Sequence, residues 1–434
     1  MPGLGREHAS APAIECVARR RSPTLKRVRR SKYLLFHLRD GKVINIVEAL
    51  KGQIVLQQQQ SIFVLSIITR EVFTIPRDEL PILLDIPSGD WTTVAEVESK
   101  NKLFTNQLAY DWASKGFVLV DDEQGCFAEL RERHRILDEE QWSLYAATYH
   151  FMTHWEDVDV GLELPPDGQA EGDWRADTMK GFREFVAVHG KPPQHFHSAK
   201  GLPFQIDLPI VRPDHPLYDL LEGRKTTRSF CEGSQLEIEE LATILYYVFG
   251  CHGYTRIMGE VVGLKKTSPS GGGLHPTEVY ILVMKVADLN PGLYHYNVER
   301  HRLDQVEPLE EKVARELANE FTSGQEYPKH AAVLFLMTAR FYRNYWKYRR
   351  HQKAYGVLLM DVAHLSQTLY LICEQLGLGA FITAAINGGN IEKRLGLQGF
   401  QEGAIAICGC GKPSGVKGYP DPEFTKYLPR ATKI

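Results

Sequence analysis

The sequence predicts an α+β protein: a mixed sheet flanked by helices in the C-terminal half, preceded by a smaller module of strands and short helices. Three observations carry this. At 434 residues the chain exceeds what one ordinary core organises. A Ser/Gly/Pro loop from Ser268 to Gly273 feeds a run dense in β-branched residues, 278–286. A long apolar stretch at helical spacing, 355–376, has the character of a buried core helix.

Composition narrows the class. With 43% hydrophobic and 24% charged residues the chain reads as a soluble globular protein, and a net charge of −3 offers no global attraction to nucleic acid. No apolar run reaches membrane-span length and the first thirty residues lack a signal-peptide core, so no membrane partner is expected. Seven cysteines, an odd number scattered from Cys16 to Cys410, point to a reducing compartment and a cytoplasmic home. Cys408 and Cys410 form a C-G-C pair with no second pair to complete a metal site. They read as small residues of a buried strand, and no metal is expected.

Residues 1–32 end in a basic run from Arg19 to Lys32 and read as a flexible, solvated arm. In residues 33–135, YLLFHL and KVINIV read as strands split by a turn at Arg39-Asp40-Gly41, and SIFVLSII is a further apolar run. PRDELPILLDI reads as a short helix, Thr93 as the cap of a second and 102–115 as a third. Gly116 stops that helix, and FVLVDDEQGCFAEL alternates as a hairpin would. Residues 136–200 form a helix over 138–155 and an acidic, Pro-rich linker. Residues 201–434 make one α+β domain, with helices over 236–249 and 309–321 and strands over 292–303, 331–337 and 402–408.

Three segments of that domain suit a flat, anionic cofactor. In RKTTR, an extended chain aims Arg224, Thr226 and Arg228 to one side, fitting a phosphate and a carbonyl edge. Pro269, Ser270, Gly271 and Gly272 offer bare amides without side-chain bulk. Asn387, Gly388 and Gly389 are a second such place, and Lys412 adds a cation. Asp361 and His364, one turn apart in the long helix, read as a hydrogen-bonded structural pair.

The order of the 33–135 module resembles winged-helix peptide-recognition elements of enzymes that modify ribosomally made peptides. Nucleic-acid readers share the shape, but Lys100, Lys102 and Lys115 with Asp111 among them are a thin phosphate footprint. The second domain resembles the nitroreductase-like flavoproteins, and within them the SagB-type dehydrogenases of thiazole/oxazole peptide pathways. Arg224-Lys225-Thr226-Thr227-Arg228, Pro269-Ser270-Gly271-Gly272 running to Pro276, GLYHY at 292–296 and the helix followed by LGLGA carry that likeness. The resemblance implies FMN at a homodimer interface, with Arg224 at the phosphate and Thr226 and Arg228 at the ribityl chain and pyrimidine edge. It also implies Lys347 and Tyr348 as a catalytic pair oxidising azolines to azoles on a precursor peptide, alongside a cyclodehydratase or other peptide-modifying enzymes. Neighbours on a helix do not face each other, so the pair can act jointly only on a loop or in a first turn. The alternatives are an NAD(P)H-driven reductase of dehydroamino acids, nitro compounds or quinones, and a winged-helix scaffold without enzymatic activity.

Overall fold

The computed structural model describes residues 25–44, 56–121, 125–160, 206–257 and 259–415, with scattered positions within 183–204 and 421–427. The N-terminal module runs β1 (Arg27–Arg30), β2 (Leu34–Ile44), β3 (Leu56–Ser66), β4 (Glu71–Ile75), α1 (Glu79–Asp85), β5 (Thr92–Thr93), α2 (Val94–Lys100), α3 (Asn106–Ser114), β6 (Val118–Val120) and α4 (Ala128–Glu139). It holds two sheets, ordered β5-β1-β6 and β2-β3-β4. Thr93 caps α2 in a reciprocal box: the Glu96 N–H donates to Thr93 Oγ1 at 3.2 Å, and the Thr93 N–H donates to Glu96 Oε2 at 2.9 Å.

Four local expectations are corrected here. The end of the basic arm is a central strand rather than a solvated tail. Val28 and Leu25 are buried, Arg27 pairs with Asp121, and Arg29 lies over the Trp91 ring at 5.2 Å, so the cations rim an apolar strand. Residues 1–24 lie outside the described residues. Arg39-Asp40-Gly41 does not turn the chain, because β2 pairs without a break against β3, Asp40 opposite Gln60 and Gly41 opposite Gln59. An unbroken ladder outweighs local turn preference. The second strand of the expected hairpin is instead α4, entered after Gly125 at φ 70°. That stretch sets Glu129 against Arg133 and Arg135 against Glu139 one turn apart while burying Ile136 and Leu137. The single helix over 138–155 is broken at Gln141, φ 61°, and resumes as α5 (Leu144–Thr153) under a Ser143 cap.

The C-terminal domain continues through α6 (Pro216–Gly223), α7 (Ile238–Ile244) with a π turn to Phe249, the hairpin β7 (Gly253–Ile257) and β8 (Val261–Lys265), β9 (Thr277–Val283), β10 (Gly292–Asn297), β11 (Arg302–Pro308), α8 (Glu311–Phe321), β12 (Val333–Arg340), α9 (Phe341–Tyr348), α10 (Lys353–Gln375), β13 (Gly379–Thr383), α11 (Gly388–Leu395) and β14 (Glu402–Gly411). Its six-stranded sheet is ordered β11-β10-β9-β12-β14-β13. The ladders of this sheet are antiparallel where a mixed sheet was expected, and the parallel bridge from Leu236 to Val286 lies outside its strands. Alternation along β9 sends Val279, Ile281 and Val283 toward α7 and α10, and Leu282 and Met284 toward α8. Cys408 and Cys410 are buried in β14, and burial pushes the Cys408 thiol up.

The long helix corrects two expectations. At 23 residues and hydropathy 1.4, α10 has the length and composition of a membrane span. Its Leu358, Leu365 and Leu369 pack inward as a core helix does, yet Leu359 and Met360 are 39% and 59% exposed, so it is not buried on every face.

Both domains share a third core. Trp142, fully buried between α4 and α5, contacts Phe341, Tyr345 and Phe400, and its Nε1–H donates to the Phe400 carbonyl at 2.8 Å. Beside it, Asp138 accepts from Lys32 at 3.1 Å, from Tyr33 at 3.0 Å and from Arg350 at 3.2 Å.

His134 lies in the same junction, packed edge-on to Tyr33 at 5.1 Å and facing Asp138, Arg29, Lys32 and Arg350. Burial pushes its imidazole down to about 4. The unfolded chain therefore takes up a proton that the folded chain refuses, and stability falls as pH drops from the ordinary histidine range toward 4. Between pH 7 and 5 the expected loss is about 2 kcal/mol. Urea unfolding at both pH values checks it, with His134→Gln removing about that share of the difference while His150, also pushed down by burial, keeps its own.

Candidate active site

The long helix α10 organises the chemistry. Asp361, buried on its inner face, accepts the Ser270 hydroxyl at 2.5 Å and the Gly271 N–H at 3.0 Å. The Ser270 oxygen in turn accepts the His275 N–H at 2.9 Å, and the Ser268 hydroxyl meets Thr368 at 2.6 Å. The Asp361–His364 pair expected from their spacing does not form: His364 is exposed, and the carboxylate serves the glycine loop. Pro269 and Ser270 line a small cleft with Lys266, His275 and Asp361. Lys266 donates to the Phe249 carbonyl at 2.8 Å, and burial lowers its basicity. Asp361→Ala leaves two half-buried donors without their acceptor and is expected to cost about 1–3 kcal/mol. Hydrogen exchange at Gly271, faster in the variant, checks it.

Lys347 and Tyr348 come to this loop. A Cβ on Gly272, at φ 66°, would sit 2.8 Å from Lys347 Nζ and 2.9 Å from Tyr348 OH. The ammonium lies 5.7 Å from the centre of the Tyr348 ring. The pair occupies the last turn of α9 rather than the first turn or loop expected, just before Arg349 breaks the helix at φ 42°. Both side chains reach over the same glycine because the helix ends there. A Cβ on Gly271 would strike Val357 at 2.0 Å, so each glycine answers a close approach.

The arginine cluster is separate. Arg224 lies over the Tyr370 ring at 5.3 Å, the Thr226 hydroxyl meets the Tyr370 hydroxyl at 3.1 Å, and Arg228 lies over the Tyr327 ring at 5.8 Å. Between them Thr227 turns inward and donates its N–H to the Ala380 carbonyl at 2.8 Å. Lys412 joins them through its carbonyl, which accepts the Cys231 N–H at 2.8 Å. Gln325, unremarked in the sequence, donates to Thr383 and Ala385 while accepting from Tyr327. The Asp421 carboxylate accepts the N–H groups of Arg228 and Ser229.

Tyr370 stands nine residues after Asp361, about 180° around the helix and about 13 Å along it. One chain therefore carries the arginine cluster and the glycine loop on opposite faces of α10.

Asn387, Gly388 and Gly389 do not offer open amides to a ring. Asn387 is buried, accepts the Val158 N–H at 2.9 Å and donates to the Val158 carbonyl at 2.9 Å, while the Gly389 N–H donates to the Trp155 carbonyl at 3.0 Å. Cβ atoms on Gly388 and Gly389 would meet His154 at 2.7 Å and Glu156 at 2.9 Å. The glycines do permit close approach, and what approaches is the chain's own segment 154–160, the start of the expected linker.

Nearby, ligand-type atoms of His150, His154 and Glu392 lie within 4.8 Å of one another. His150 is satisfied by Tyr355 and the Gly399 carbonyl. Glu392 accepts the Ala404 N–H and lies 3.9 Å from Arg70, whose charge balances it. His154 Nε2 is 3.1 Å from Glu392 but off the line of a good hydrogen bond.

Known proteins share this domain. The model of the Nitroreductase family matches residues 221–412. A nitroreductase-family protein of Methanocaldococcus jannaschii is 31% identical over 191 residues, 44% of this chain and 89% of that one. The trifolitoxin-processing protein TfxB of Rhizobium leguminosarum bv. trifolii is 28% identical over 222 residues, 49% of this chain and 58% of TfxB. Among solved structures, the E. coli microcin synthetase McbBCD complex with truncated pro-MccB17 bound contains a similar chain. It is 17% identical with a TM-score of 0.44, covering 64% of this chain and 93% of that one. The antiparallel sheet around α10, the arginine cluster and the glycine loop fall within residues 221–412, and the chain belongs to the nitroreductase family.

Proposed function

We infer that the protein is an FMN-dependent, SagB-type dehydrogenase that oxidises azolines to azoles on a precursor peptide. The observation that carries this is Gly272, across which Lys347 and Tyr348 converge on a bare backbone held by Asp361. The likeness to a trifolitoxin-processing protein supports a peptide substrate. The chain's groups fit the cofactor: Arg224, Arg228 and Lys412 suit a phosphate, the Tyr327 and Tyr370 hydroxyls a polar edge, and the glycine loop a ring face.

Because those two sets lie on opposite faces of α10, the site is complete only when a second copy brings its glycine loop to the first copy's arginines. The exposed Leu359 and Met360 of α10 suit such a homodimer contact. The N-terminal module holds the peptide. Strand β2 lies at the edge of its sheet, and Leu38 on it is 56% exposed, so an extended peptide can add there. A cyclodehydratase would supply the azoline.

Aromatising an azoline removes two hydrogens from adjacent carbons. Tyr348, acting as the phenolate beside the Lys347 ammonium, would receive one as a proton and become the neutral phenol. Bound FMN supplies the acceptor for the electron pair leaving with the other. The Gly272 backbone lets the ring approach.

Mass spectrometry of a co-expressed substrate peptide tests the reading. A loss of two mass units per ring is expected, whereas a gain of two would mean reduction and overturn it. Arg224→Ala with Arg228→Ala removes two charge-assisted contacts of about 1.5–3 kcal/mol each, so FMN affinity should fall at least 100-fold. Fluorescence titration with FMN checks it.

A further inference from the structure

The face of α9 and the turn after it carry groups that the chemistry above does not use. Tyr342 and Trp346, four residues apart and so on one stripe, are 42% and 47% exposed. Arg343 and Lys347 form the neighbouring stripe, Arg349 and His351 stand exposed in the turn, and Lys353 stands exposed at the start of α10. Several cations here are spoken for: Arg340 pairs with Glu278 at 2.9 Å, Arg350 with Asp138 at 3.2 Å, and Arg343 donates to the Leu274 carbonyl at 2.6 Å. Arg349 and Lys353 have no carboxylate partner among the described residues. Arg349 also keeps a left-handed backbone, φ 42°, a conformation unfavourable for a residue with a side chain. The strip begins where Lys347 and Tyr348 close over Gly272.

We propose that this strip is a docking site for an acidic, apolar-spaced stretch of a peptide, carboxylates on Arg349 and Lys353 and apolar side chains on Tyr342 and Trp346. It rests on the reading above that the substrate is a peptide, and it adds where that peptide lies next to the reaction. Unpaired guanidinium and ammonium groups select carboxylates. Exposed aromatic rings add apolar contact area at low entropic cost. A nucleic acid fits less well. The strip spans one short helix and a turn, and Asp138, Glu140 (which accepts the Tyr342 N–H) and Glu278 edge it, interrupting any track of phosphates.

Anisotropy of a short fluorescein-labelled Glu/Leu peptide, titrated with the full-length protein at low and high salt, tests this without turnover. The peptide should bind, weaken with salt, and lose at least tenfold in affinity with Arg349→Glu and Lys353→Glu together. Trp346→Ala should weaken it severalfold, and Lys312→Glu on α8 should leave it unchanged. Arg349→Gln with Lys353→Gln, a milder change, should fall between. Unchanged binding in the charge-reversed protein with an unaltered melting curve would overturn the proposal. So would equal binding of a Lys/Leu peptide or of single-stranded DNA. If the acidic peptide binds as expected while co-expressed substrate gains no azole, the docking site stands and the assigned chemistry fails.

Discussion

If the protein oxidises azolines as proposed, replacing Lys347 and Tyr348 together by alanine is expected to abolish azole formation while the protein still folds and retains FMN. Both side chains lie at the end of α9, exposed or half-exposed, so their loss removes little packing. What it removes is the proposed proton acceptor over Gly272 and the cation next to it. A positioned base contributes about 10²–10⁴-fold in rate, so the product should fall to background in mass spectra of the peptide. Tyr348→Phe alone keeps the ring and loses only the hydroxyl, and it should show nearly the full defect. A variant that kept more than about a tenth of wild-type product would assign the proton to another group, far below the expected 10²-fold loss.

Trp142→Ala should be the most damaging single change to stability. The indole is fully buried, lies 4.6 Å from the Phe341 ring and 5.0 Å from Tyr345, and is tied to the Phe400 carbonyl. Deleting a buried Trp costs about 3–5 kcal/mol, and here a buried carbonyl also loses its donor. Against the 5–15 kcal/mol typical of folded proteins this is severe. Differential scanning calorimetry should show a Tm lower by many degrees. Because Phe341 and Tyr345 are on the helix that ends in Lys347 and Tyr348, activity should fall below the transition as well. Trp142→Phe, which keeps most of the apolar contact and loses the N–H donor, should recover part of both.

Much of both domains was legible because their signals are local. The β-branched run of β9, the apolar spacing of α10 and the Thr93 cap each depend on residues within a few positions. The RKTTR alternation holds in the fold, with Arg224, Thr226 and Arg228 partly exposed and Thr227 buried between them. What escaped involves distant partners. Asp361 holds a loop 91 positions away, so its spacing to His364 misdirected the reading. Asn387–Gly389 announced a close approach correctly, but nothing local says that the approaching atoms belong to His154 and Glu156. The basic run before Tyr33 read as a tail because charge count hides a single buried Val28, and its strand partners lie at Thr92 and Val120. The opposite placement of Tyr370 and Asp361 was available from helix geometry, once Arg224 and Ser270 were known to rest on them.

Asp138 is shared by Lys32 and Tyr33, just before β2, and by Arg350, two residues beyond Tyr348. One carboxylate thus has obligations on both sides of the domain boundary. Under the proposed reading, a peptide strand added to β2 would pull on the same acid that anchors the turn just after Lys347 and Tyr348.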